Sequence, residues 1–170
     1  MTHADTADAI DAIVGITPDS RVAQIRALRP DAAGYAQGSY AALLEPADEA
    51  GLGRAERALI ALRAALLAPS RAVAAHYRER LQSLGVEATT IAAVEHFPEG
   101  GAVSPQLAAI LPHVELMTLR PHAAGREALE ALEAAGLSAR NIVSIAQLVA
   151  FVSYQVRLAA GLRLLQEEQQ

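Results

Sequence analysis

Residues 52–84, LGRAERALIALRAALLAPSRAVAAHYRERLQSL, decide the fold that this sequence predicts. Gly53 is the expected cap of the first helix and Glu56 follows at the third helical position, which is a weaker form of the capping box. Apolar residues then recur at spacings of three and four, as in an amphipathic helix. Pro69 removes a backbone hydrogen bond and crowds the preceding turn, so we expect a kink or break just before it. A second helix should run from Ser70 to about Leu84, with Gly85 as the residue that terminates it.

Prolines and capping residues predict further helices on both sides of this stretch. The first 16 residues form an expected loose lead-in with a short apolar anchor at 10–14. The last helix is apolar on nearly all sides between Ile142 and Val152, which is typical of a central helix. Gly34 and Gly38 are predicted points of close contact between helices. The additional predicted helices cover residues 17–28, 30–45, 88–96, 104–119, 121–136 and 139–166.

An all-α fold of seven or eight helices is the class that these features predict. The chain has 170 residues, of which 52% are hydrophobic and 4% aromatic. A core built mostly from Ala, Leu, Val and Ile favours closely packed helices, and few segments alternate as strands do. The length fits one domain, which we place at residues 17–170 with halves at about 17–97 and 104–170.

An internal repeat supports this division into halves. Residues 28–34, LRPDAAG, match residues 119–125, LRPHAAG, at six of seven positions. Farther along, residues 51–52 match 136–137 and residues 60–61 match 145–146, with six extra residues in the first copy. The matches predict two duplicated hairpins, each consisting of a proline-started helix, a turn and a long core helix.

The composition excludes several kinds of chemistry. The formal net charge is −5 and all 14 basic residues are arginines, without a basic stripe, which argues against nucleic acid as a partner. Cys, Lys and Trp are absent, which excludes thiol nucleophiles, thiolate metal sites and Schiff-base lysines. No histidine pair has the spacing of a helical metal site. We therefore expect neither a metal nor a cofactor.

The chain also lacks the sequence signals of export and of membrane insertion. Its polar, acidic start differs from a secretory signal. The longest uncharged run, residues 141–156, is shorter than the roughly 18 to 20 apolar residues of a membrane span. We expect a soluble, cytoplasmic protein without a membrane partner.

Two stretches of the chain resemble the carboxymuconolactone decarboxylase and alkyl hydroperoxidase D-like superfamily, in particular its peroxidase-related branch. Residues 51–76 are similar to the family's Leu-x-Arg-x-Glu-Arg helix start that leads into Cys-x-x-Cys-x-x-x-His. Residues 135–162 are similar to the final helix of that branch, with its Tyr-x-x-Arg element at Tyr154 and Arg157. The resemblance implies a multi-helix AhpD-like fold and homo-oligomers.

The chain departs from this family at its redox centre. Counting back from His76, the two family cysteine positions fall on Pro69 and Ala72. Relatives with thiols reduce hydroperoxides there, as peroxiredoxin-type alkyl hydroperoxide reductases, while a Glu and the His assist proton movement. Glu56 and His76 match those two roles by position. Without sulfur the thiol cycle cannot run in this chain.

The residues themselves suggest one candidate site at the two central helices. Glu56 and Arg63 share a stripe of the first predicted helix, and His76 and Arg80 share a stripe of the second. If the helices fold back at Pro69, these groups could converge on a small pocket suited to proton transfer on an anionic substrate. In the simpler interpretation, Glu56 caps its own helix, Arg63 extends to solvent and His76 is a hydrogen-bonded interior histidine.

The remaining candidates are less strongly indicated. Tyr77 is a possible ligand contact, although it lies on an apolar line with Val73 and Leu81 that favours packing. Tyr154 and Arg157 face either the pocket or a neighbouring subunit. Surface or capping roles are expected for the remaining histidines of the folded part, which are His96, His113 and His122.

Two function hypotheses follow. The first is an enzyme-like member of the superfamily that has lost thiol chemistry and works by cofactor-free acid and base catalysis at Glu56 and His76, as the decarboxylase branch is understood to do. The second is a non-catalytic partner of a cysteine-containing relative, with the pocket filled by side chains. The sequence does not identify a substrate.

Overall fold

The computed structural model of the protein describes residues 8–168, and over that range it contains nine α-helices and no strand. The all-α prediction is confirmed. A single 3₁₀ helix, Pro121–Ala123, precedes the eighth α-helix. The α-helices are α1 (Ala9–Val14), α2 (Arg21–Ala27), α3 (Pro30–Leu44), α4 (Arg54–Leu67), α5 (Arg71–Ser83), α6 (Ala88–Glu95), α7 (Pro105–Leu119), α8 (Arg126–Ala134) and α9 (Ala139–Glu167).

The α4 helix is the centre of the fold. It packs against α3, α5, α6, α7 and α9, and every residue from Arg57 to Ala65 is buried. Four alanines in this run allow neighbouring helices to approach on all sides. By contrast α9, which the sequence predicts as central, is buried along one face and exposes Val143, Tyr154 and Leu164. Its apolar surface therefore continues beyond the core.

The break at Pro69 is confirmed. Ala68 and Ser70 both have extended backbones, because a residue before proline is driven out of the helical region. The three-residue connection folds α5 back along α4, and Gly85 follows α5 with a φ of 71°. The structure thus forms the helical hairpin expected from residues 52–84.

The N-terminal part differs from the predicted pattern. Residues 9–14, inside the expected lead-in, form α1 with Ile10, Ile13 and Val14 in the core, while residues 1–7 lie outside the described range. The α2 helix begins at Arg21 rather than at Thr17, because Ser20 is its cap and accepts from the amide of Ala23 at 3.2 Å.

The two repeat copies share local backbone conformations. Arg29 and Arg120 have φ, ψ of −131°, 63° and −143°, 55°, and Gly51 and Gly136 have φ of 84° and 85°. The copies differ after the shared prolines. Pro30 starts a 15-residue helix, whereas Pro121 starts only the 3₁₀ helix because the backbone is extended again at Ala124 and Gly125.

The expected close contacts at Gly34 and Gly38 do not occur within the chain. A Cβ atom added at either glycine would meet nothing within 4 Å. The prediction is therefore wrong for the single chain, because α3 packs through its other face, where Ala36, Tyr40 and Leu44 are buried.

By length and composition α9 qualifies as a membrane span, and it alone does so among the described helices. Its most apolar window has a mean hydropathy of 1.5 and is 44% buried inside the fold. The core helix of a soluble protein passes the same test, and α9 packs against α1, α3, α4 and α7. One such helix is therefore weak evidence for a membrane protein.

Candidate functional site

A hydrogen bond between α3 and α5 forms the centre of the candidate site. The hydroxyl of Tyr40 lies 2.9 Å from Nε2 of His76, and the two rings meet edge to face with centroids 5.6 Å apart. Either the phenol donates to a neutral Nε2, or an Nε2–H donates to the phenol oxygen. The contact links residues that are 36 positions apart in the chain.

Arg80 completes this cluster from the next turn of α5. Its Nη1 lies 3.4 Å from the Tyr40 hydroxyl and 3.0 Å from Oε1 of Glu45, and its Nη2 donates to the carbonyl of Leu44 at 3.2 Å. The guanidinium also stands over the Tyr40 ring, 5.6 Å from its centroid. The Nε of Arg80 is buried without a hydrogen-bond partner. We call Tyr40, His76 and Arg80 the tyrosine–histidine cluster.

Burial sets the protonation states of this cluster. Burial lowers the pKa of His76, and the positive charge of Arg80 lowers it further against a smaller opposing effect of Glu79. Burial also raises the pKa of Tyr40, although Arg80 opposes this. Near neutral pH the imidazole is therefore uncharged and the phenol keeps its proton. This is the state in which a histidine can accept a proton and a tyrosine can donate one.

A second polar pair lies deeper, beside the cluster. The Tyr77 hydroxyl donates to Oε1 of Gln155 on α9, and both side chains are 0% exposed. Burial strongly raises the pKa of Tyr77, and Nε2 of Gln155 has no hydrogen-bond partner. Tyr77 therefore packs, as its apolar line suggested, and its hydroxyl is not available to a ligand from outside.

The structure does not bring Glu56 into this cluster. Its Oε2 accepts from the backbone amide of Gly53 at 2.9 Å, so the carboxylate satisfies the N-terminus of its own helix. Glu56 has no hydrogen bond with His76, Tyr40 or Arg80, whose side chains contact one another instead. The expected convergence of Glu56 with His76 is replaced by the contact with Tyr40.

Arg63 serves the packing of another part of the molecule. It is buried and pairs with Glu115 of α7. It also donates to the carbonyls of Glu95 at 3.1 Å and Phe97 at 2.9 Å. The interpretation in which Arg63 extends to solvent is wrong, because the last carbonyl of α6 and the carbonyl of Phe97 accept from its guanidinium. It does not join His76.

Tyr154 and Arg157 both lie on the exposed side of α9. The Tyr154 and Phe151 rings are stacked, with their centroids 6.0 Å apart. The Phe151 ring in turn meets the Tyr40 ring edge to face, with centroids 6.4 Å apart. Tyr154 lines two shallow grooves, of about 340 and 130 Å³. Arg157 makes only a 3.4 Å contact with the carbonyl of Ser153 in its own helix. Neither residue touches His76.

The two positions that correspond to the family cysteines lie at the α4–α5 turn. Pro69 lines a groove of about 320 Å³ together with Ala68, Ser70 and Arg71, and Ala72 is partly buried against the core. Both side chains lack any group that could carry redox chemistry or a proton.

Among the described residues, no group of three or more potential ligands is placed to hold a metal ion.

His113 is buried on α7 with its Nδ1 unpartnered, so its expected surface or capping role is wrong. Burial lowers its pKa. The same element contains Pro112, which the helix accommodates without ending.

Sequence reasoning missed Tyr40 and Gln155. Tyr40 follows Ala36 by four residues on the inner face of α3, a position that reads as ordinary core. Gln155 sits in the apolar part of α9, where a fully buried amide is the unusual feature. A polar Gln155 inside an apolar helix is visible in the sequence. Its pairing with the Tyr77 hydroxyl is not, because it depends on how α5 packs against α9.

No protein-family model matches this sequence, and a comparison with curated proteins finds no significant match either.

Proposed function

We propose that the tyrosine–histidine cluster binds a small anionic molecule and transfers a proton to or from it without a cofactor. The supporting observation is the position of the Tyr40 hydroxyl, 2.9 Å from Nε2 of His76 and 3.4 Å from Nη1 of Arg80. In this proposal His76 is the base, Tyr40 is the proton donor and Arg80 holds the anion. A decarboxylase-like or other lyase-like reaction needs these three roles.

The half-exposed carboxylate of Glu45 indicates how an anion would be held. It lies 3.0 Å from Nη1 of Arg80, and its side chain is 49% exposed. A ligand carboxylate that displaced Glu45 would gain the same charge-assisted hydrogen bond. The proposal therefore assigns anion recognition to Arg80 and leaves Arg63 and Tyr77 to the packing of the fold.

The same proposal places the chain among the carboxymuconolactone decarboxylase and alkyl hydroperoxidase D-like proteins, as a cytoplasmic member without redox thiols. The helical hairpin interrupted at Pro69 and the long last helix with Tyr154 and Arg157 support it. The matching backbones at Arg29 and Arg120 support an origin by duplication of two hairpins. Homo-oligomers are part of this proposal.

The test compares Tyr40→Phe and His76→Gln with Glu56→Gln as the matched control. The native chain is supplied with small β-keto and lactone carboxylates while CO₂ release and uptake of solvent deuterium are followed. We expect a loss of roughly 10²- to 10⁴-fold in the first two variants, as for removal of a general acid or base. The Glu56 variant should retain activity, because an amide oxygen can still accept from Gly53. The opposite ranking would disprove the proposal.

A second candidate function is a non-catalytic partner of a cysteine-containing relative. It is favoured by one observation: the Arg80 guanidinium already has Glu45 and the Leu44 carbonyl as partners. Glu45→Gln discriminates, since it should increase binding of acetate or benzoate, followed by NMR at the His76 ring, only if the cluster is an anion site. An unchanged spectrum, together with a stable hetero-complex in native lysate, would favour the second candidate.

A further inference from the structure

The exposed aromatic side chains of this chain line one groove. The chain has four tyrosines and two phenylalanines, and of these rings only Tyr35 and Tyr154 are exposed, by 77% and 42%. Both line the groove of about 340 Å³ between α3 and α9, together with Phe151. The rest of its lining consists of two alanines and a serine of α3. A concave, largely apolar surface with aromatic walls is suited to a planar apolar group.

Two of these rings are already held in place. Phe151 is buried and stacks with Tyr154 at an interplanar angle of 28°, and it also meets the Tyr40 ring edge to face. The Ser39 hydroxyl in the groove lining donates to the carbonyl of Tyr35 at 2.8 Å, so its proton is not offered to a ligand. A surface that is ordered before binding lowers the entropic cost of binding. A flat ring bound beside Tyr154 would extend the existing stack.

A cationic groove continues from the aromatic one. Ala32 and Tyr154 line both the groove of about 340 Å³ and a neighbouring groove of about 130 Å³, so the two grooves are contiguous. Arg26 and Arg29 line the smaller groove. Among the described residues, no carboxylate lines either groove. The N-terminus of α3, which is the positive end of its helix dipole, lies at the same end. The two grooves together therefore present aromatic rings beside positive charge.

Of the two arginines, Arg29 is the one available to a ligand. Arg26 is paired with both Asp8 and Asp11. Arg29 is exposed and forms no ion pair with any carboxylate of residues 8–168, including that of Asp31 two positions farther on. A guanidinium can bind a carboxylate by two parallel hydrogen bonds. At Arg29 such a ligand displaces no partner within the described range.

We propose that the contiguous grooves between α3 and α9 bind a small aromatic carboxylate, with its ring beside Tyr35 and Tyr154 and its carboxylate on Arg29. Arg29 and Ala32 lie about one turn apart, roughly 4.5 Å along the helix axis, which suits a carboxylate attached directly to a ring over Ala32. No residue of the tyrosine–histidine cluster lines either groove. The site is therefore separate from that of the proposed function, and its ligand need not be the substrate.

The first experiment compares three ligands by NMR titration of the backbone amides. 2-Naphthoate has a planar ring system and a carboxylate, 2-naphthamide lacks the charge, and cyclohexanecarboxylate lacks the planar ring. We expect 2-naphthoate to shift the amides of residues 29–39 and 151–162 saturably, with a dissociation constant below about 1 mM. The other two should bind at least about threefold more weakly, because each lacks one of the two contacts. No saturable shift, or equal affinity for 2-naphthoate and either of the other ligands, would overturn the proposal.

Arg29→Gln and Arg120→Gln provide a matched pair, because both arginines are exposed in the repeated Leu-Arg-Pro sequence and have similar backbones. Arg120 lines neither groove. Arg29→Gln should raise the dissociation constant of 2-naphthoate by about threefold to tenfold, and Arg120→Gln should leave it unchanged. Tyr35→Ala should raise it by at least about threefold. All three positions are exposed, so urea denaturation should show intact folds. Equal effects of the two arginine variants would contradict the site.

Arg80→Gln separates this groove from the tyrosine–histidine cluster, where a carboxylate is also proposed to bind. It should leave the dissociation constant measured at the groove amides unchanged. Loss of 2-naphthoate binding in Arg80→Gln, with normal binding in Arg29→Gln, would overturn the groove site and leave the proposed function standing. Because the readout is binding rather than turnover, the result is independent of whether Tyr40 and His76 are catalytic.

Discussion

Buried arginines explain how a chain without lysine holds its loops. Arg57 donates to the carbonyls of Leu52 and Leu43, Arg63 to those of Glu95 and Phe97, and the largely buried Arg80 to that of Leu44. A guanidinium offers five donors in a fixed plane, so one side chain can satisfy several carbonyls at once. Arg80 alone combines this role with contacts to a phenol.

The first residue-scale prediction concerns the charge that Arg80 places beside His76. Burial is the main cause of the lowered His76 pKa and Arg80 is the next, so Arg80→Gln should raise that pKa toward 6.5. NMR titration of the His76 ring protons measures it. Arg78→Gln is the control, because Arg78 lies on the same helix but pairs with Glu95. Equal shifts in both variants would contradict the assignment.

The second residue-scale prediction concerns Gly100. A Cβ atom there would lie 2.7 Å from the carbonyl oxygen of Ala93 and 2.8 Å from that of Ala92. Because these are backbone atoms, Gly100→Ala must displace the chain, and we expect a loss of about 1–3 kcal/mol in chemical denaturation. Gly161 lies at an exposed position of α9, where an added Cβ atom would meet nothing within 4 Å. Gly161→Ala should therefore raise the free energy of unfolding by up to about 1 kcal/mol. Effects of the same sign would disprove the close approach.

At the scale of elements, most helix positions follow from local signals. Pro69, Gly85 and Pro105 each end or start a helix where the sequence predicts it, because these residues restrict the backbone irrespective of tertiary contacts. The start of α2 was misplaced, since Thr17 and Ser20 are both good caps and only packing chooses between them. The helix predicted from Pro121 was too long, because the extended backbone at Gly125 delays the start of α8 to Arg126.

The element-scale prediction tests whether Arg63 joins α4 to α6 and α7. Arg63→Gln removes the donor of two backbone carbonyls and of Glu115, all partly buried, and leaving such groups unpaired costs about 1–3 kcal/mol. Arg54→Gln is the control, because its pair with Glu49 is half exposed on both sides and such pairs contribute at most about 1 kcal/mol. Urea denaturation at neutral pH compares them. Similar losses would show that Arg63 is not a structural link.

At the scale of the whole molecule, composition predicts the class of fold and little of the site. An Ala- and Leu-rich chain with regular helical spacing can bury its apolar faces only as packed helices. The central place of the first helix of residues 52–84 follows from its dense apolar pattern and is seen in α4, whereas the one-sided burial of α9 depends on how few helices cover it and was not predicted. The partnership of Tyr40 with His76 was equally hidden, because it depends on how α3 crosses α5.

The whole-molecule prediction concerns stability in mild acid. Burial lowers the pKa of His113 below 6.5 in the folded state, so below about 6.5 the unfolded chain binds a proton that the folded chain does not. The stability that neutral His113 contributes is therefore fully present above about pH 6.5 and is lost as the pH falls toward the pKa of His113 in the folded state. The free energy of unfolding changes by at most about 1.4 kcal/mol per pH unit in this range. Between about pH 7 and 5.5, the native protein should lose more stability in urea than His113→Leu. Parallel losses would contradict this.

The α3 helix supplies Tyr40 to the cluster, and Glu45, the residue after its last turn, pairs with Arg80. Under the proposed function Glu45 therefore occupies the place at which the anion would bind. It would act as a competitor tethered to the protein itself, and the observed affinity for the anion would be the intrinsic affinity reduced to the fraction of molecules in which Glu45 has left Arg80. A change that favours release of Glu45 would then strengthen binding without touching the ligand.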